Sequence, residues 1–459
     1  MHPLYKQVET LDKRCCEVFG LSEEILMEHA ALALCKAVLE KPLTSVLIVC
    51  GPGNNGADGL ACARLLCGVC DVKVLLPLGV KSPLATLQYA RAVALHVKVI
   101  NAVEKADVVV DALFGSGQTR PLEASMVALI ETLNAQDARK IACDIPTGLG
   151  VGTTAFQADV TVAMGALKEV LFLENAKSVV GKIVVAELGV PRYMYEVPSQ
   201  TQVLSAQDMH LPHRTNPVSH KGDFGHVLVV GGEKEGAGTL AAMAAFSFGA
   251  GLVSYLGEAS LPPHLMKTAS LPPKTTAVVA GMGLGNTHKE TALKALLVES
   301  TCAVVADADV CDMPLAQTLY THEKPVVFTP HPKEFCALMK RVGLGEVDVE
   351  TVQANRLALA RQFSLGTKSV LVLKGVHTLV AHKGEVYLCP YGSPALSKGG
   401  SGDVLAGMIG ALLAQGYAPK EAAITAVLAH ALAAQAYEGN TYALTPERLI
   451  EGVACLKNG

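Results

Sequence analysis

The stretch Ser45-Val46-Leu47-Ile48-Val49-Cys50-Gly51-Pro52-Gly53-Asn54-Asn55-Gly56-Ala57-Asp58-Gly59 decides the class of the first half of the chain. Its uncharged, Val/Leu/Ile-rich start reads as a strand buried on both faces. A glycine-rich turn follows, and then a helix. Strand, Gly-rich turn and helix in that order is a nucleotide-binding layout. The spacing is not G-x-G-x-x-G, because Pro52 and the Asn pair intervene, nor a Walker A loop, because no Lys-Ser/Thr follows. Outward from it, apolar strands recur at Val72–Leu76, Val97–Ile100, Val108–Asp111, Lys140–Asp144, Val160–Ala163 and Ile183–Val185. Such runs predict a parallel sheet with helices on each side. Toward the N-terminus, residues 4–19 read as a helix, and Ser22 with Glu23 and Glu24 caps a second one running to about Leu39.

Polar residues collect where these strands end. Asn55 and Asp58 follow the first, Asp111 opens Asp111-Ala112-Leu113-Phe114-Gly115-Ser116-Gly117, and Asp144 opens Asp144-Ile145-Pro146-Thr147-Gly148. In open α/β sheets the carboxyl ends of strands build the ligand site. One such Asp is usually a turn former; three in succession, each near a glycine, point to a site. Their oxygens, with those of Asn55 and Thr147, also suit a hard cation. Turn and cation site both remain open on spacing alone.

Val197-Pro198-Ser199-Gln200-Thr201-Gln202 reads as a linker, and a second α/β rhythm follows. Its strands are Val227–Val230, Leu252–Tyr255, Ala277–Ala280, Ala303–Ala306, Val326–Phe328 and Val370–Leu373, with a hairpin at Thr378–Ala381 and Glu385–Leu388 around Lys383-Gly384. The stretch Ser397-Lys398-Gly399-Gly400-Ser401-Gly402-Asp403 then feeds a long Ala/Leu/Gly-rich helix. A Gly-rich loop entering a helix N-terminus offers backbone N–H groups to an anion, typically phosphate. Asp403 either caps that helix or takes a proton from a hydroxyl that attacks the phosphate. An acid there opposes anion binding unless it has such a task, which favours the second reading.

The composition bounds the rest. A chain of 459 residues, 50% hydrophobic, has room for two or three domains and substantial cores. A formal net charge of −4 without a basic tract argues against a nucleic-acid partner. No apolar run reaches transmembrane length, and Met1–Glu9 lacks the apolar core of a signal peptide, so no membrane partner and a cytoplasmic location are expected. The 13 cysteines then read as reduced packing thiols. Cys62, Cys67 and Cys70 have an iron–sulfur-like C-x4-C-x2-C spacing, but Cys62 and Cys67 on one helix would not share a face. His210, His213 and His220 read as solvated loop residues.

Taken together and in order, these motifs are specific. The first half carries Leu26-Met27-Glu28-His29-Ala30, the Gly51–Gly59 loop, Asp111 with Gly115-Ser116-Gly117, and Asp144-Ile145-Pro146-Thr147-Gly148. The second carries His220-Lys221-Gly222, Gly231-Gly232, Gly281-Met282-Gly283-Leu284-Gly285, Thr329-Pro330-His331-Pro332, Lys374-Gly375 and Gly400-Ser401-Gly402-Asp403. Over nearly its whole length the chain resembles the bifunctional NAD(P)H-hydrate repair enzymes, an epimerase fused to an ADP-dependent dehydratase. The resemblance implies two doubly wound α/β domains. Residues 1–200 would be a Rossmann-like three-layer sandwich and residues 201–459 a ribokinase-like domain.

It also implies roles. In the epimerase half, Asn54, Asn55, Gly56, Ala57 and Asp58, with Gly115, Ser116, Gly117, Gln118, Thr119, Arg120 and Pro121, would hold the hydrated dinucleotide. Asn55, Asp111 and Thr147 would bind potassium, and Asp144 would contact substrate as the acid–base group. In the dehydratase half, Ala237, Gly283 and His331 would line the hydrate site, and Lys374, Gly375, Val376, His377, Thr378 and Gly402 would hold the nucleotide. Asp403 would deprotonate the hydrate hydroxyl as it attacks the β-phosphate of ADP, with magnesium as charge partner. NADH hydrate, NADPH hydrate and ADP are the implied partners, and a homo-oligomer the implied state.

The chain departs from the common pattern at His29, Ala57, Thr147, Met282, Lys333 and Gly392–Lys398. Thr147 keeps the oxygen a cation needs, and Lys398 is placed to add a phosphate contact. A ribokinase-type kinase of a small hydroxylated metabolite would carry the same Gly-Ser-Gly-Asp, and one half could serve as a non-catalytic cofactor-binding module.

Overall fold

The computed structural model describes residues 1–457. Pro3–Ser199 forms one compact unit; the chain from Gln200 onward, with Met1–His2, forms the other.

In the first unit the strands are β1 (His2–Tyr5), β2 (Ser45–Cys50), β3 (Asp71–Leu75), β4 (Lys98–Ile100), β5 (Val108–Ala112), β6 (Arg139–Cys143), β7 (Val160–Met164), β8 (Leu167–Lys168) and β9 (Lys182–Ala186). A seven-stranded sheet runs β4-β3-β2-β5-β6-β7-β9. Every ladder in it is parallel. Its central strands are buried along their length, as continuous apolar runs require when helices cover both faces. The order reverses beside β2, and the turns after β2 and β5 open at that switch point, where such sheets bind ligands. Ser22 caps the helix Glu23–Val38, its hydroxyl accepting from Ile25 N–H at 3.3 Å.

The expected helix over residues 4–19 is shorter at its start. Leu4 and Tyr5 lie in β1 and pair with Leu167 and Lys168, and the helix begins only at Glu9. Leu4 is buried by that pairing, a non-local contact that outweighs a local helical pattern.

In the second unit the strands are β10 (Thr201–Val203), β11 (His226–Val230), β12 (Leu252–Leu256), β13 (Met266–Thr268), β14 (Ala277–Ala280), β15 (Ala303–Ala306), β16 (Val326–Phe328), β17 (Val370–Leu373), β18 (Leu379–His382) and β19 (Glu385–Leu388). They lie in the order β13-β12-β11-β14-β15-β16-β17-β18-β19-β10. The strands from β13 to β17 are parallel, and β18 and β19 form the expected antiparallel hairpin. The end of the expected linker is strand β10, which pairs with β19 through Thr201 and Val386. Exposed β13 escaped notice because Met266-Lys267-Thr268 is short and partly polar.

The helix Ser401–Ala414 is buried from Val404 onward. A Cβ at Gly410 would lie 2.2 Å from Val279 Cγ2, so only a glycine lets this helix lie so close to β14. Among the described residues no helix is long and apolar enough to cross a membrane.

Candidate functional site

Each unit presents a site at the carboxyl ends of its strands. In the first, a cavity of about 440 Å³ is lined by Asn54, Asn55, Asp58, Gly115, Ser116, Gly117, Gln118 and Asp144, together with Val8, Asp12, Phe114, Met164 and Lys168. Asn54 to Asp58 are the first turns of the helix Asn54–Leu66 rather than a loop, so their backbone donors point at the cavity as a helix N-terminus does. Gly56 and Ala57 are buried behind that wall. Thr119, Arg120 and Pro121 are exposed outside it, and Gln118 ties their loop to Gly148 N–H at 2.9 Å.

Asp111 lies beneath the floor, fully buried. It accepts from Thr147 N–H at 2.8 Å, Thr147 Oγ1 at 2.8 Å and Leu113 N–H at 3.1 Å. Burial pushes its carboxyl up to about 6, against the pull of the Thr147 hydrogen bonds. Asn55 Nδ2 is buried without a hydrogen-bond partner. The carboxylate and the hydroxyl are hard oxygen donors held together, and a bound cation would relieve the burial cost of Asp111.

Asp144 follows β6 in a left-handed backbone conformation, φ 69°, uncommon for a residue with a side chain. One carboxylate oxygen accepts from Lys168 Nζ at 2.6 Å and Met164 N–H at 3.1 Å; the other accepts from Ser116 N–H at 3.1 Å. Deep in the same cavity, burial first and then Asp144 push Asp58 well above the usual carboxylate range. Burial also raises Asp12, whose carboxylate accepts from Tyr195 Oη at 2.7 Å. Lys168, Asp12 and Tyr195 are absent from the sequence-level expectation. Lys168 sits on a two-residue strand that no periodicity marks.

In the second unit Asp403 occupies the first turn of the helix Ser401–Ala414, after Gly400 at φ 93°. The N-cap position itself is that glycine, which has no side chain to cap the helix. Burial pushes the Asp403 carboxyl up to about 6; Asp307 and Glu334 add to the rise, and Lys374 and Lys234 oppose it. The Lys374 side chain is largely buried. Its ammonium donates to Asp307 at 2.9 Å and lies 3.7 Å from Glu334. Burial works against that charge, but the two acids outweigh it and raise the lysine. Asp307 also accepts from Thr329 Oγ1 at 2.7 Å. Gly402 adjoins the lysine, since a Cβ there would lie 3.3 Å from its Nζ.

His331 caps the helix Pro332–Arg341, its Nδ1 accepting from Lys333 and Glu334 N–H at 3.1 and 3.3 Å. That places Glu334 against Lys374. Gly283, at φ 58°, accepts from Lys234 N–H at 3.0 Å, and Ala237 N–H donates to Lys234 O at 3.1 Å, so Lys234 joins these two expected residues. The loop Lys374–Thr378 rests on buried Arg356, whose terminal nitrogen donates to the carbonyls of Leu373, Lys374 and His377 at 3.1, 3.2 and 3.1 Å. A Cβ at Gly375 would collide with that guanidinium at 2.4 Å. Asp307, Glu334, Lys234 and Arg356 were not among the expected site residues. Asp307 directly follows β15; the others sit on helices and in turns, where only tertiary contacts give them a role.

One expectation is corrected. Lys398 turns from the phosphate loop and donates to Tyr442 O at 2.5 Å, a carbonyl acceptor that the fold brings beside it. The two cysteines face apart, as expected: Cys62 packs inward with its Sγ 3.2 Å from that of Cys35, while exposed Cys67 donates to Leu95 O at 3.3 Å.

Both halves of the chain match known proteins. The pattern described as NAD(P)H-hydrate dehydratase matches residues 227–454, and that described as YjeF-related protein N-terminus matches residues 23–170. The chain is 42% identical over 474 residues to the bifunctional NAD(P)H-hydrate repair enzyme Nnr of Helicobacter pylori, covering 99% of each. It is 32% identical over 458 residues to that of Escherichia coli, covering 92% of this chain and 87% of the relative. A solved structure of the ADP/ATP-dependent NAD(P)H-hydrate dehydratase of Bacillus subtilis, co-crystallised with ATP/Mg2+, is 28% identical with a TM-score of 0.47, covering 54% of this chain and 93% of that one.

Proposed function

The chain belongs to the bifunctional NAD(P)H-hydrate repair enzymes, and from that premise we propose how its two sites divide the reaction. The protein interconverts the R and S hydrates of NAD(P)H and dehydrates the S form to NAD(P)H at the expense of ADP. We assign epimerisation to residues 1–200 and dehydration to residues 201–459.

In dehydration, Asp403 takes the proton of the C6 hydroxyl. The oxygen attacks the β-phosphorus of ADP, and AMP departs with the bridging oxygen. The phosphate then leaves C6 with the C–O electron pair, the ring nitrogen supplies the electrons, and loss of a C5 proton restores the double bond. Lys374 and the N–H groups of the Gly399–Gly402 loop would steady the phosphoryl charge. Ala237, Gly283 and His331 would position the hydrate, and the Lys374–Thr378 loop with Gly402 the nucleotide. Asp307 and Glu334 offer hard oxygens for magnesium, which would neutralise diphosphate charge.

In epimerisation, Asp144 takes the same hydroxyl proton while C6–N1 breaks. A carbonyl forms at C6, and the N1 electron pair spreads into the ring amide. Rotation about C5–C6 and reclosure on the other face, with the proton returned, invert the centre. The helix start Asn54–Asp58 and the loop Gly115–Pro121 would hold the dinucleotide. Asp111, Thr147 and Asn55 would hold potassium, which would add positive charge beneath the substrate loop. We place the protein in the cytoplasm as a homo-oligomer acting on both NADH hydrate and NADPH hydrate.

The observation that carries the reading is Asp403 beside the Lys374–Asp307 pair at a helix N-terminus. Mixing the protein with NADH hydrate and ADP tests it. NADH absorbance returning with AMP and phosphate supports the assignment; a phosphorylated hydrate that accumulates without NADH would reject it.

A further inference from the structure

The two oxygens of Asp144 have unequal surroundings, and the inequality traces to Lys168. This lysine is 1% exposed, and among the described residues its ammonium donates to three acceptors: Asp144 Oδ1 at 2.6 Å, Met164 O at 2.8 Å and Ala166 O at 3.4 Å. An ammonium has three protons, so it has none left for a substrate. The two carbonyl acceptors come from the last residue of β7 and from the turn between β7 and β8, so backbone wraps the charge on the side away from Asp144. Oδ1 also accepts from Met164 N–H at 3.1 Å, and so is occupied from two sides. Oδ2 has a single donor, Ser116 N–H at 3.1 Å. It faces the gap over Gly115, where a Cβ would lie 2.9 Å from Oδ2 and 3.0 Å from Asn55 Oδ1. Gly115, Asn55, Asp144 and Lys168 all line the cavity. The absence of a side chain at residue 115 is what leaves that oxygen open.

We infer that Lys168 is a positioning residue of the epimerase site: it consumes Oδ1 and so selects Asp144 Oδ2, on the Gly115 side, as the atom that exchanges the proton with the substrate hydroxyl. The inference rests on the reading of Asp144 as the acid–base group. It adds which atom acts, which residue enforces the choice, and why residue 115 carries no side chain. Without the lysine, the carboxylate rotates about its Cα–Cβ and Cβ–Cγ bonds, and Oδ2 spends most of its time off line. The dinucleotide, held elsewhere along the helix Asn54–Leu66 and the Gly115 loop, still binds.

The test compares steady-state epimerisation of R-NADH hydrate by the full-length wild type, Lys168→Ala, Gly115→Ala and Asp144→Asn proteins. Lys168→Ala is expected to lower kcat about 100-fold, the scale of a misplaced general base, while KM stays within about threefold. Added ethylammonium should restore part of its kcat by refilling the vacated space, a rescue that a merely structural lysine would not show. An unchanged kcat, or equal losses in kcat and KM without rescue, overturns the inference. Should Lys168→Ala fail to fold, Gly115→Ala decides. Its Cβ intrudes on Oδ2, so kcat at saturating substrate falls at least about tenfold; wild-type turnover rejects Oδ2 as the acting atom. Asp144→Asn separates the two levels. Full activity in that variant sinks the acid–base reading itself, whereas its loss alongside a wild-type Lys168→Ala sinks only the role of the lysine.

Discussion

Asp403 shows at the scale of one residue how burial becomes chemistry. A carboxyl pushed up to about 6 is close to the working pH of a general base, where proton affinity and availability are both adequate. Dehydratase kcat/KM is therefore expected to fall as the pH drops through about 6, measured as a pH profile with saturating ADP. The same shift costs stability. The folded state binds this proton more tightly than the unfolded chain, so ionising the group opposes folding, and the cost is fully present above the folded value. A rise of about two units corresponds to roughly 3 kcal/mol, an upper bound that partial exposure reduces. Asp403→Asn is expected to raise Tm at pH 8 but not at pH 4, while lowering dehydratase turnover at least about 100-fold. Calorimetry at the two pH values and the NADH absorbance assay check both halves of this trade-off.

At the scale of elements, the nucleotide loop depends on a helix that never meets the nucleotide in the proposed arrangement. Arg356, at the start of the helix Arg356–Leu365, holds the last carbonyl of β17 and two carbonyls of the loop after it. With those carbonyls turned inward, the loop can offer its N–H groups to an anion. Arg356→Met leaves buried carbonyls unsatisfied, each at about 1–3 kcal/mol, and should loosen the loop. The expected outcome is a KM for ADP raised about tenfold or more, with epimerase kcat unchanged. Equal KM values in wild type and variant would refute that role for the helix.

At the scale of the molecule, each unit carries a complete set of polar groups at the strand ends of its own sheet. The two activities should therefore be separable by single substitutions. Asp144→Ala is expected to abolish enzymatic epimerisation yet dehydrate S-hydrate at the wild-type rate; Asp403→Ala is expected to do the reverse. Their effects on unfolding free energy should add within about 0.5 kcal/mol in the double variant, as for sites without shared partners. Chiral chromatography of the hydrates with NADH absorbance separates the two rates. The proposed potassium ligands Asp111, Thr147 and Asn55 all belong to the first unit, so exchange of potassium for a large organic cation is expected to slow epimerisation alone.

The chain sequence was enough to determine the parallel α/β architecture of both halves, because uninterrupted Val/Ile/Leu runs such as Ser45–Cys50 and Val370–Leu373 can be buried only between layers of helices. It likewise placed Asp111, Asp144 and Asp403 at strand or loop ends, where chain order and glycine mark ligand sites. It did not show β1 or β10, because short strands are stabilised by partners far away in sequence. Nor did it show that Lys168 meets Asp144, that Lys374 meets Asp307, or that Arg356 underlies the nucleotide loop. Those pairings depend on direction and distance between separate elements, and a one-dimensional pattern holds neither. Only the folded chain brings a buried cation to one particular oxygen of one particular carboxylate.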